Sequence, residues 1–291
     1  MDSLHLNPDK YRLLKALRPF SYSVAVVTCG LGVALAYARD EGDLLSACLV
    51  VIAGVLLQAS SNLANDYADI GLWKNQSNAL SVQVTKQIRR NFYLGGLLTL
   101  IAVTMGLWLV LQVGWPLMLL GLFGVLGGYS YTGEPINYKQ RGLGVPAVFL
   151  FTGVLMVSGS YYAVTGHWSS QVVWLSAPVS LLSASLLMAN EIRDYLEDQN
   201  FNIQTLTVRI GFEKSKVIYV LLLISVYPLS FYLFLQGGVR DLLYLLPSLA
   251  FVWQPVRLLF NAEGDIELVR LPPLTGRFFM VFGVGFICSV L

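Results

Sequence analysis

Nine apolar stretches, each close to the length that crosses a bilayer as a helix, constrain this chain more than any other feature. They fall at about residues 19–37, 44–61, 92–112, 114–131, 147–165, 171–190, 216–235, 241–259 and 276–291. Roughly 20 residues of helix span the hydrocarbon core, where each backbone N–H and C=O must be satisfied within the spanning structure. The runs are continuous and many are Leu-rich, which argues against the alternating pattern of a membrane β-barrel. Hydrophobic residues make up 56% of the 291 and charged residues 12%, far from the balance of a water-soluble domain. The expected fold class is all-α, a polytopic membrane protein with nine transmembrane helices around a central cavity. No composition shift, linker or low-complexity tract divides residues 1–291, so one membrane domain is expected.

Nine crossings place the N-terminus and the loops after helices two, four, six and eight on one side. Of the 19 Lys and Arg, all but Arg39 and Arg240 fall on that side. The positive-inside bias makes it cytoplasmic, and an error in the helix count would have scattered the asymmetry. The first 18 residues mix acids and bases and lack a small-residue cleavage site, so no signal peptide is expected. Cys29, Cys48 and Cys288 all fall within spans and show no paired spacing, which indicates neither a disulfide framework nor a metal site. His5 and His167 are isolated and lie on opposite sides, and neither is expected to carry chemistry. Small residues in GLLTL, GVLGG and VSGS suit packing within one chain and between chains alike, so the oligomeric state stays open.

Two acidic segments interrupt the hydrocarbon: SNLANDYADI at 61–70 and NEIRDYLEDQ at 190–199. They hold Asp66, Asp69, Glu191, Asp194, Glu197 and Asp198. Carboxylates beside a bilayer are costly unless a cation, a hydrogen-bond partner or water compensates them. Asp66 and Asp69 are three apart and Asp194 and Asp198 four apart, so each pair shares one face of a helix. Like charges on one face repel, whereas Mg²⁺ takes one or two carboxylates together with phosphate oxygens. Arg193 stands among the acids, and Lys74, Lys139, Arg141 and Arg209 fall on the same side, adding charge suited to phosphate. Asn62, Asn65 and Asn190 lie beside them. The combination reads as a diphosphate held through metal. Solvated interface residues and a proton or cation pathway are the competing readings; against the second, no acid or base lies at the middle of a span.

With these residues in place, the chain resembles the UbiA superfamily of intramembrane prenyltransferases, and most of all its 1,4-dihydroxy-2-naphthoate prenyltransferase branch. The resemblance is carried by LRPFSYSVAV, NLANDYADI, YSYTGEPINYKQRGLG and NEIRDYLEDQNFNIQTLTVRIG, and covers nearly the whole chain. It implies Mg²⁺-dependent transfer of a polyprenyl group from its diphosphate to an aromatic acceptor in menaquinone synthesis. Asn65, Asp66 and Asp69 match the first metal motif, and Asp194 and Asp198 the second. Asn190 and Arg193 match flanking positions, Arg18 matches the Arg-Pro before helix one, and Tyr131 matches a Tyr after helix four. The implied catalytic and metal-binding set is Asp66, Asp69, Asp194 and Asp198. The substrate-binding set is Arg18, Asn62, Asn65, Lys74, Tyr131, Lys139, Arg141, Asn190, Arg193 and Arg209. Tyr67, Tyr131 and Tyr195 are candidates to face an allylic cation. The expected location is a bacterial or archaeal inner membrane, with lipid around the protein and no nucleic-acid partner.

The chain also departs from that pattern. Asn75 stands where a further Asp is usual, Ala79 where an Arg is usual, Val145 in place of an acid after GLG, and Asn202 and Ile203 in place of Gly-Lys. Each departure removes a charge. Two alternatives follow: a weakened relative that binds an isoprenoid lipid or a partner subunit, and a transferase acting on another phenolic acceptor.

Overall fold

The computed structural model describes residues 8–68, 70–74, 79–262 and 265–291, with all their side chains except those of 72, 74, 265 and 266. Asp69 and Asn75 therefore lie outside the described residues, as does the side chain of Lys74. Among the described residues there is no β-strand.

The chain enters through a 3-10 turn at Pro8–Tyr11, α1 (Leu13–Ala16) and a second 3-10 turn at Pro19–Ser21, then forms α2 (Tyr22–Tyr37). Next come α3 (Leu44–Ala68), α4 (Ile70–Lys74), α5 (Ala79–Val113) and α6 (Trp115–Tyr129). One rod is built from α7 (Gly144–Val148), a π-helical stretch at Phe149–Leu155 and α8 (Met156–Thr165). The rest comprises α9 (Ser170–Arg193), α10 (Tyr195–Asn200), α11 (Leu206–Ile210), α12 (Phe212–Leu235), α13 (Leu246–Asn261), α14 (Asp265–Leu268) and α15 (Leu271–Val290).

Among the described residues, eight helical segments are long and apolar enough to cross a membrane, and each matches an expected span. The remaining expected span, 114–131, corresponds to α6, an apolar helix of 15 residues. At 1.5 Å per residue it is about 22 Å long, short of the roughly 30 Å hydrocarbon core. Its two ends nonetheless reach opposite ends of the bundle, for Val113 abuts Gly166 and Tyr131 lies beside Gly144.

The polar stretches 62–91 and 191–215 between apolar runs are largely helical. Leaving the bilayer does not end a helix whose backbone bonds are made internally, so α3 continues to Ala68 and α5 begins at Ala79. On the early part of α5 the buried residues are Ser81, Val84, Ile88 and Asn91, a spacing of three or four. Val84 and Ile88 form a small satellite core with Tyr11, Ile70 and Trp73.

The main core lies where α2, α9, α12 and α15 meet. Phe278, Phe279, Phe282 and Phe286 of α15 are buried with Val27 and Leu31 of α2, Val179 and Leu182 of α9, and Tyr219 and Leu223 of α12. A Cβ on Gly283 would lie 2.3 Å from Val27 Cγ1, so only glycine lets α15 approach α2 this closely. Leu97, Leu100, Leu119 and Leu122 on α5 and α6 face outward, as a lipid-facing surface requires. A groove of about 420 Å³ lined by Trp115, Phe123, Tyr162 and Trp168 sits near the Gly166 end, remote from the acidic segments.

Candidate active site

The first half of the site is built around a turn. Arg18 has φ 47°, a left-handed conformation that non-glycine residues rarely adopt. Asn62 holds this turn on both flanks, its Nδ2 donating to Leu17 O and Ser21 Oγ, each at 2.8 Å. So fixed, the Arg18 guanidinium donates from Nη2 to Asp66 Oδ1 at 2.7 Å. Asp66 is 1% exposed, and such a buried pair is costly to break because the survivor keeps an uncompensated charge. Asn65 is half-buried on the adjacent turn of α3.

The second half closes α9. Arg193 forks onto Asp194, with Nε to Oδ1 at 2.7 Å and Nη2 to Oδ2 at 2.6 Å, the two-pronged geometry a guanidinium favours with a carboxylate. The helix kinks at Asp194 (φ −93°, ψ 9°), yet its bonding continues: Asp194 N donates to Asn190 O at 3.0 Å and Asp198 N to Asp194 O at 2.8 Å. Asn190, Asp194 and Asp198 therefore keep the shared face that their spacing predicted. Burial alone would raise the Asp194 carboxyl, but Arg193, with Lys10 and Arg18, holds it well below the usual range. Asp198 is 7% exposed and accepts from Thr205 Oγ1 at 3.3 Å. Burial pushes its carboxyl up to about 7; Asp194, Glu191 and Glu197 reinforce the shift, while Lys139 opposes it.

Arg18 joins the halves, for it bonds Asp66 and its charge also acts on Asp194, Lys10 and Tyr131. Tyr131 is held edge-on to Tyr138 with ring centroids 5.4 Å apart, and the Tyr138 hydroxyl bonds the Gly127 carbonyl. Burial, with Glu191 and Asp198 nearby, keeps the Tyr131 phenol above its ordinary range and therefore neutral.

Other candidates bond elsewhere. Arg209 donates from Nη2 to Gln140 O at 2.7 Å and from Nε to Gln204 O at 3.0 Å, while Gln204 N donates to Gln140 Oε1 at 2.9 Å. These bonds staple the loop after α6 to the start of α11. Arg141 is exposed and donates to Pro135 O of its own loop at 2.8 Å. Tyr67 stacks on Phe92 at 4.1 Å and Tyr195 tilts against Phe212 at 5.2 Å, both packing contacts. Two groups absent from the candidate set enter the site. Glu191 Oε2 accepts from Thr207 N at 3.0 Å, and its Oε1 faces Gly144, where a Cβ would lie 3.3 Å away. Lys10 Nζ stands 3.8 Å from Glu197 Oε1. Glu191 was visible within its acidic motif, but nothing in sequence links Lys10 to Glu197.

Among the described residues, no three His, Cys, Asp or Glu converge tightly enough to hold a metal by themselves. The oxygens present still suit Mg²⁺, which fills much of its shell with phosphate and water. They are the carboxylates of Asp66, Asp194 and Asp198 and the buried Oδ1 of Asn190, which has no hydrogen-bond partner. That orphaned carbonyl oxygen, on the same face as two aspartates, is the feature a hard cation would satisfy.

Comparison with known proteins places this geometry in context. The model of the UbiA prenyltransferase family matches residues 25–269. The chain is 31% identical to the 1,4-dihydroxy-2-naphthoate octaprenyltransferase of Haemophilus influenzae, over 71% of each protein. It is 27% identical to the UbiA prenyltransferase domain-containing protein 1 of Dictyostelium discoideum, over 93% of this chain and 84% of that protein. Its fold is similar to that of a UbiA homolog from Archaeoglobus fulgidus bound to GPP and Mg²⁺, with a TM-score of 0.61 at 16% identity, covering 95% of this chain and 99% of that one.

Proposed function

We propose, from the premise that this chain belongs to the UbiA prenyltransferase family, that it transfers a polyprenyl group from its diphosphate to 1,4-dihydroxy-2-naphthoate. The chain is an integral membrane prenyltransferase; the acceptor, the cofactor and the residue roles are our reading. The observation that carries it is Arg18, which bonds the buried Asp66 of one acidic segment while acting on Asp194 of the other. The match to naphthoate octaprenyltransferases favours the naphthoate acceptor.

In this reading Asp66, Asp194, Asp198 and Asn190 hold Mg²⁺, with Asp69 in the same motif. These residues would hold the ion where it could supply positive charge to the leaving diphosphate during ionisation of the allylic C–O bond. Arg18 and Arg193 stand where their guanidinium groups can turn from aspartate to phosphate once the aspartates are occupied. Lys139 adds positive charge beside Asp198. Tyr131, neutral and buried among these groups, offers a ring face to the cationic carbon rather than a competing nucleophile. The electron-rich acceptor ring then forms the new C–C bond; with dihydroxynaphthoate, the ring carboxylate departs as CO₂. Apolar helices around the site exclude water from the cation and let a long isoprenoid tail extend into lipid. We place the acidic end of the bundle on the cytoplasmic side.

The test is to incubate the purified full-length protein with a prenyl diphosphate, Mg²⁺ and a panel of aromatic acceptors. Diphosphate release and a prenylated product with loss of CO₂ are expected with dihydroxynaphthoate. Product with a different phenol alone would replace the acceptor, and no product with any acceptor would contradict the transferase reading.

A further inference from the structure

Segment 8–11 crosses from one half of the site to the other. Tyr11 is buried edge-on against Trp73 with ring centroids 5.7 Å apart, and its carbonyl accepts from Asn91 Nδ2 at 2.9 Å. These contacts tie the strap to α4 and α5. The neighbouring Lys10 reaches the other way, towards Glu197 at 3.8 Å, and its charge is coupled to Asp194. That contact is longer than a hydrogen bond, and Glu197 is 39% exposed, so the ion pair adds little to holding the strap. Tyr11 anchors the segment without it.

Four arginines near the site are differently engaged. Arg18 and Arg193 bond aspartates at 2.7 Å or less, and Arg141 and Arg209 bond backbone carbonyls. Lys10 is a compact point charge with three donors, the type of group that binds phosphate without fixed geometry. Burial disfavours its charge, but Asp194 and Glu197 more than compensate, and it stays protonated. We infer that Lys10 is a substrate-binding residue that contacts the diphosphate from the N-terminal strap, outside both acidic motifs. This rests on the transferase reading above.

Calorimetry of inorganic diphosphate binding in Mg²⁺, alongside steady-state kinetics, tests it on the full-length protein. Lys10→Met is expected to weaken diphosphate binding about tenfold and to raise KM for the prenyl diphosphate similarly, with kcat within about twofold. Lys10→Arg should recover most of the loss. Lys10→Gln, which keeps a polar head but no charge, should behave like Lys10→Met and serves if the latter does not fold. Glu197→Gln, which removes the contact but not the cation, should leave both constants within about twofold. Wild-type binding in Lys10→Met and Lys10→Gln would overturn the inference, as would an equal loss in Glu197→Gln, which would reduce Lys10 to a strap. A wild-type protein that turns over while Lys10 variants match it fails this inference alone; one that neither binds diphosphate nor turns over fails the transferase reading, and this inference with it.

Discussion

Arg18 and Arg193 each sit on an aspartate that we propose holds a cation, and the two pairs differ in burial. The Asp66 side chain is 1% exposed and that of Asp194 27%. Asp66→Asn should therefore lower thermal stability by about 3–5 kcal/mol as well as turnover, whereas Asp194→Asn should lower turnover with a smaller loss of stability. Thermal unfolding beside activity separates the two. Asp198 adds a pH dependence. Its folded pKa of about 7 lies above the ordinary 3.8, so it is protonated in the fold at low pH. In a chelator-treated sample its contribution is fully present below about 4 and is lost as pH rises towards 7. Asp198→Asn should flatten that decline in melting temperature, and an unchanged slope would contradict the assignment. The shared face of Asp194 and Asp198 was legible because helical spacing is local information. The duties of Arg141 and Arg209 were not, since bonding a carbonyl on another loop is settled by tertiary approach. The approach of Lys10 to Glu197 was missed for the same reason.

At the scale of elements, hydropathy located the membrane-crossing helices but not their ends. Bilayer thickness limits the apolar run, whereas a helix ends only where its capping and backbone bonding end, and α5 runs to 35 residues. The first acidic segment accordingly lies mostly on α3. The Arg209 staple joins two connections from different parts of the chain, which hydropathy could not reveal. Arg209→Ala should speed hydrogen exchange at residues 138–143 and 204–206 while α9 exchanges as before. Gly283→Leu tests the tightest crossing: with Val27 Cγ1 already 2.3 Å from a modest Cβ, it should force α2 and α15 apart and cost at least about 1–3 kcal/mol. A melting temperature equal to wild type would show that the helices can separate freely.

Across the whole molecule, an all-α membrane bundle collects its two acidic segments at one end and places Arg39, Glu41 and His167 at the other. That division was readable because nearly all basic residues fall in one frame of alternating loops. The shortness of α6 was not, because its apolar run includes flanking residues that turn rather than continue the helix. What joins the two acidic segments is spatial, and a binding cycle measures it most directly. Mg²⁺-dependent diphosphate affinity is compared in wild type, Asp66→Asn, Asp194→Asn and the double variant. A single shared site predicts that either substitution removes most of the affinity and that the double variant loses little more. Independent losses that multiply in the double variant, or undiminished binding in either single variant, would contradict it.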